Sequence, residues 1–163
     1  MNKVLVSICI AGIALAMSSC RSVEKAIPLS SINGEWNIIE VNGSKVTPGE
    51  SRTFPFITFD TATGRVSGNS GCNRMMGSFD VNAKPGSLSL GAMAGTKMMC
   101  PDMTTERNVL GALAQVKGYK KAGKDKMYLC NASNRPVVVL EKKEANVKLS
   151  VLNGEWKIKE ANG

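Results

Sequence analysis

Three sets of residues in this chain could do chemistry: five cysteines, nine methionines and thirteen carboxylates. Histidine is absent, which excludes a Ser-His-Asp or Cys-His nucleophile, an HExxH zinc site and a His-ligated haem. An enzyme built from this inventory would have to work with carboxylates. Asp60, Asp80, Asp102 and Asp125 fall at turns or strand ends, and the glutamates read as mostly exposed. No acid/base pair is set by spacing. A glycosidase would need two facing carboxyls in an aromatic-rich cleft, and the chain has only two Trp, two Tyr and four Phe. The expectation is a protein without catalytic residues.

Met75-Met76 and Met98-Met99 carry thioethers, which suit a soft ion such as copper(I). No Met-x-x-Met array accompanies them, and methionine commonly fills gaps in cores, so core packing is the preferred reading. Cys72 and Cys100 lack C-x-x-C partners, which argues against zinc. Neither a metal nor a cofactor is expected. The run Gly68-Asn69-Ser70-Gly71 could form a backbone nest for an anion. Without the Lys-Ser/Thr of a phosphate loop it reads instead as a tight turn or bulge, with Asn73 bonding the local backbone. Trp36 reads as core rather than as a stacking platform.

The elements that would hold these residues are short strands around one helix. Residues 34–41 (GEWNIIEV) form a first strand closed by an Asn42-Gly43 turn, and residues 54–60 a second whose Pro55 suggests an edge or bulge. Residues 65–68, 76–81 and 87–90 continue the pattern, with Gly-bearing turns between them. Residues 104–117 place Val109, Leu110, Leu113 and Val116 on one helical face. Asp102 or Thr104 would cap this helix, Glu106 would complement its dipole, and Gly118 would stop it. Residues 126–130 and 136–141 form a hairpin, in which Val137-Val138-Val139-Leu140 reads as buried on both faces. This spacing suits a small meandering sheet or barrel.

The N-terminus reads as an export signal, with Lys3 followed by an apolar run over residues 4–16, too short to span a membrane. Met17-Ser18-Ser19-Cys20 resembles a bacterial lipobox, in which the signal is removed and Cys20 carries lipid. The alternative is a plain secretory signal. Residues 1–19 are thus the signal peptide and residues 20–31 a tether. Arg21 is not the Asp that retains enterobacterial lipoproteins in the inner membrane, and no acidic run follows it. The expected address is the outer membrane, facing the periplasm. Loss of Lys3 leaves 20 basic against 13 acidic side chains. An exported chain meets no genomic DNA, so the expected partners are the membrane, through the N-terminal lipid, and an unknown envelope protein, with no nucleic acid. The lysines at 117, 120, 121, 124 and 126 read as a solvated loop.

Four segments resemble, in order and spacing, the META/HslJ family of bacterial envelope proteins. They are Asn33-Gly34-Glu35-Trp36, then Gly68-Asn69-Ser70-Gly71-Cys72-Asn73 after Val66-Ser67, then Gly77-Ser78-Phe79, then Thr96-Lys97-Met98-Met99-Cys100. The resemblance implies a mainly β domain with one α-helix, a small antiparallel β-barrel-like fold over residues 32–142. Its motif positions in this sequence are Gly34, Trp36, Gly68, Gly71, Cys72, Asn73, Thr96, Met98 and Cys100. The family is linked to heat-inducible expression, antibiotic tolerance and, in some parasites, virulence, without an established reaction. The implied function is a non-catalytic envelope lipoprotein serving envelope stress or antibiotic tolerance through a protein or envelope contact. The alternative is a barrel that binds a small apolar ligand. A filled interior would favour the first and a dry cavity of several hundred cubic ångströms the second.

Cys72 and Cys100 both follow strand-and-turn segments of that family core, and export meets an oxidising compartment, so a Cys72–Cys100 disulfide is expected. The competing pairings are Cys72–Cys130 and Cys100–Cys130. Finally, residues 149–163 (LSVLNGEWKIKEANG) repeat residues 29–43 (LSSINGEWNIIEVNG) at ten of fifteen positions. The repeat reads as the start of a second, truncated domain, poorly packed and with Trp156 less buried than Trp36. A tail belonging to the fold and a strand swap are the other readings.

Overall fold

The computed structural model describes residues 26–48 and 54–143. The signal peptide, Cys20, the start of the tether and the repeat at 149–163 lie outside the described residues. A single 3₁₀ turn, Leu29–Ile32, leads into β1 (Gly34–Val41). Asn42 and Gly43 both take left-handed backbone, φ 49° and 80°, as a two-residue hairpin turn requires, and β2 (Ser44–Lys45) folds back on β1.

Then come β3 (Phe56–Asp60), β4 (Arg65–Asn69), β5 (Arg74–Ser78) and β6 (Ala94–Gly95), a meander of antiparallel neighbours. The helix α1 (Thr104–Leu113) follows, and β7 (Gly118–Lys121), β8 (Lys126–Cys130) and β9 (Pro136–Lys142) form a second meander. The sheet order is β6-β5-β4-β3-β1-β9-β8-β7, with β2 beside β1. Strand β1 is therefore the seam, pairing with β3 on one side and β9 on the other.

The predicted mainly β domain with one helix is what the chain forms, and its sheet is open rather than closed into a barrel. The outer strands β6 and β7 do not pair with each other. Instead, single bridges Phe79↔Leu90 and Ser87↔Gly118 let residues 87–90 cross between the two margins. That crossing makes isolated pairings, which is why the strand predicted at 87–90 is absent.

Alternation fills the core, and one irregularity corrects it. Trp36 and Ile38 face inward, so a regular strand would aim Glu40 inward next. The register slips between Ile38 and Glu40 against β9, and the bulge turns Val41 inward instead. Ile57, Phe59, Val66, Met75 and the helix residues Val109, Ala112 and Leu113 complete the same cluster. Phe59 and Phe79 meet edge to face, centroids 5.8 Å apart. In β9, Val137 to Leu140 are buried at every position, as their unbroken apolar run predicts.

The helix is shorter than its periodicity suggests. It ends at Leu113, not Lys117, because Lys117 already donates its N–H to Cys130 O at 2.8 Å and Gly118 opens β7. Sheet pairing outcompetes the last helical turn. For the same reason the lysine cluster is not a loop throughout: Lys120 and Lys121 lie in β7, an edge strand whose charges discourage pairing with other chains. Lys126 pairs with Glu141 at 3.5 Å.

Candidate functional site

Seven of the nine motif positions gather at or beside one polar cluster where the β4–β5 turn, the segment before α1 and the first turn of α1 meet. Gly68 lies where the backbone of β3 passes so close that a Cβ would overlap the Phe56 carbonyl oxygen. Gly71 takes φ 131°, and its missing side chain leaves room for Thr105 at the start of α1. The turn closes with Ser70 N–H donating to Asn73 O at 2.9 Å.

Asn73 is buried, and all four of its side-chain hydrogen-bonding positions are used. Its Oδ1 accepts from Thr96 Oγ1 and from Met98 N–H, both at 2.7 Å. Its Nδ2 donates to Met98 O and to Glu106 Oε1, both at 3.0 Å. Thr96 in turn bonds the backbone of Arg74 in both directions. The side chain that the sequence assigns to its own turn thus reaches two other segments.

Glu106 is the residue that sequence reasoning missed. It is buried, and its Oε2 accepts from Asn73 N–H at 2.8 Å and lies 3.1 Å from Ser70 Oγ. The signal was present in its position: Glu106, Val109 and Leu113 follow i, i+3, i+7 spacing on one helical face. The helix therefore does not use Glu106 only for its dipole. At its start, Asp102 Oδ1 accepts the Thr104 N–H at 2.7 Å.

Beside this cluster Cys72 and Cys100, 28 positions apart in sequence, form a disulfide with Cα atoms 6.1 Å apart. Because these two are bonded to each other, neither pairing with Cys130, which is buried in β8, is formed. Disulfide and Asn73 together fix residues 96–100 from both sides. Met98 and Met99 project from that segment, 62% and 93% exposed. Core packing holds for Met75 and Met127, whereas Met76, Met98 and Met99 face solvent. Alternation accounts for Met76, which neighbours the inward Met75. Met98 has both backbone groups tied to Asn73, which leaves its side chain outside.

Gly34 opens β1, and Trp36 lies in the core as expected, its Nε1–H donating to Ile32 O at 2.7 Å. Lys142 Nζ lies 5.0 Å from the indole centroid. These two motif residues belong to the sheet seam, apart from the cluster around Asn73. Among the described residues no group of three or more Cys, Asp or Glu is placed to hold a metal ion. Every buried polar side-chain atom among them has a partner. What the Asn73–Glu106 cluster does chemically is to bind three chain segments together.

A cavity of about 200 Å³ lies elsewhere, at the rim of the domain, where Ala26, Ile27, Gly86, Tyr119, Lys120 and Lys121 line it. Tyr119 Oη donates to Ile27 O at 2.9 Å across its wall.

Comparison with known proteins adds the family. The solved structure of a protein from Burkholderia xenovorans, determined by NMR, is similar at a TM-score of 0.55 and 21% identity, covering 88% of this chain and 99% of that one. A DUF4847 family protein from Bacteroides vulgatus is similar at a TM-score of 0.47 and 12% identity, over 71% of this chain and 96% of that one. No curated protein matches. The model of the META domain matches residues 28–144, the whole stretch that carries the sheet, the helix and the disulfide, and the chain belongs to the META domain family.

Proposed function

We propose that this is a non-catalytic envelope lipoprotein, anchored through Cys20 to the outer membrane on its periplasmic side, that acts by protein contact through its Met98–Met99 segment. The observation that carries this reading is the pairing of a rigid mount with an exposed apolar tip. A disulfide and a saturated Asn73–Glu106 network hold residues 96–100, yet Met98 and Met99 bury little of themselves in the domain. Methionine is unbranched and polarisable, which suits a surface that adapts to a partner. Arg74 and Lys97 flank it with positive charge, favouring an acidic partner face.

The ligand-binding alternative finds less support. The interior holds Trp36, Ile38, Phe59, Val66, Leu88, Leu113 and Leu140, all nearly inaccessible. The rim cavity lies outside this core. Its position suits the anchor instead: five residues lie between Cys20 and Ala26, at most about 20 Å of extended chain. Lys120 and Lys121 would then stand near anionic headgroups. The proposal extends to a role in envelope stress or antibiotic tolerance, which rests on the chain's membership of the META domain family.

A photo-crosslinking side chain at position 99, in the lipidated protein within its own envelope, tests the reading. We expect one dominant adduct that the same group at Lys45 does not give. Identical, weak labelling from both positions would contradict it.

A further inference from the structure

We infer that residues 152–161 are a second copy of β1 that fits the slot between β3 and β9 of the same chain. The slot is the seam of the sheet: in the strand order β1 stands between the two meanders. Ten of fifteen residues in 149–163 are identical to 29–43 at a constant offset, so the question is where the other five fall.

Three fall outside the core. Ser31, Asn37 and Ile39 are only partly buried, and Val151, Lys157 and Lys159 stand at the matching places. Asn37 lies opposite Glu141 of β9, so a lysine there would gain an opposite charge across the ladder. Ile39 is the bulge position, where alternation is already broken. The remaining two are core positions that stay apolar: Ile32 is matched by Leu152 and Val41 by Ala161.

The identical positions are those that make the slot specific. Trp36 and Ile38, 3% and 0% exposed, are matched by Trp156 and Ile158. Asn33 Oδ1 accepts from both Thr61 N–H and Thr61 Oγ1 at 3.1 Å, and Asn153 stands at its place. Glu35 forms an ion pair with Lys143, and a glutamate, Glu155, stands at the matching place in the copy.

The route is short. Strand β9 runs antiparallel to β1 and ends at Lys142, beside Trp36, and the copy follows β9 directly in sequence. Lys143 N–H bonds Glu35 O at 3.2 Å, six residues along the chain from Leu29. Lys143 and Leu149 are likewise six residues apart, a reach of up to about 20 Å. The copy can thus close as a hairpin on β9 in the orientation that β1 now has. Exchange would release residues 26–43 as an added arm of up to about 60 Å.

The chain has two tryptophans, one in each copy, which makes the exchange readable. In the full chain, Trp36→Phe keeps β1 seated and leaves Trp156 as the reporter outside the slot. Trp36→Gly unseats β1 and should draw Trp156 in. We expect severalfold weaker acrylamide quenching of Trp156 in Trp36→Gly than in Trp36→Phe, with the protein monomeric. Cooperative urea unfolding should persist in Trp36→Gly and be lost in the Trp36→Gly, Trp156→Gly double variant. Equal quenching, equal loss of folding in the single and double variants, or burial of Trp156 only in a concentration-dependent dimer would each overturn the inference.

Discussion

At the scale of single residues, the motif of this family reads as a joint. Asn73 and Glu106 commit a buried amide and a buried carboxyl to tying the β4–β5 turn to residues 96–98 and to α1. A carboxylate offers two acceptor oxygens here, and the amide of Glu106→Gln offers one. Either orientation of that amide points its NH2 at a donor, so we expect a loss of about 1–3 kcal/mol, measured as a lowered urea midpoint. Tyr119 gives a second expectation. Burial pushes its phenol above the ordinary 10, so its contribution is complete below pH 10 and is lost as pH rises through the folded-state value. Ultraviolet titration should show this ionisation running together with unfolding, because the neutral hydroxyl holds Ile27 O.

At the scale of elements, the disulfide ties the β4–β5 turn to the approach of α1. Replacing Cys72 and Cys100 by serine should cost roughly 3–4 kcal/mol by the loop-closure argument, read from urea unfolding under oxidising and reducing conditions. The strands legible in the sequence include β1 and β8, which have the bounds their patterns predict, and β9, whose valine run is buried throughout. Legibility failed where tertiary pairing overrode local preference. Residues 114–117 have a helical pattern, but β8 captures Lys117. Glu106 looks like an exposed first-turn acid until Asn73 is brought against it. Met98 and Met99 resemble core filler in composition, yet both face solvent, Met98 with its backbone held by Asn73.

At the scale of the whole molecule, one strand joins two meanders, a disulfide and a polar joint fix one segment, and that segment carries the exposed methionines. The anchor proposed at Cys20 belongs to this scale: mass spectrometry of the mature N-terminus should find acylated Cys20, and an unmodified terminus elsewhere would refute lipidation. The central claim is that the motif builds the mount while Met98 and Met99 make the contact. Its most direct test is quantitative capture from the envelope with the lipidated wild-type protein and with a Met98→Ser, Met99→Ser variant side by side. Both side chains are exposed, so the urea midpoint of the variant should stay within about 0.5 kcal/mol of wild type. We expect a partner that is recovered with wild type and lost with the variant; recovery of the same proteins in equal amounts with both would contradict the claim.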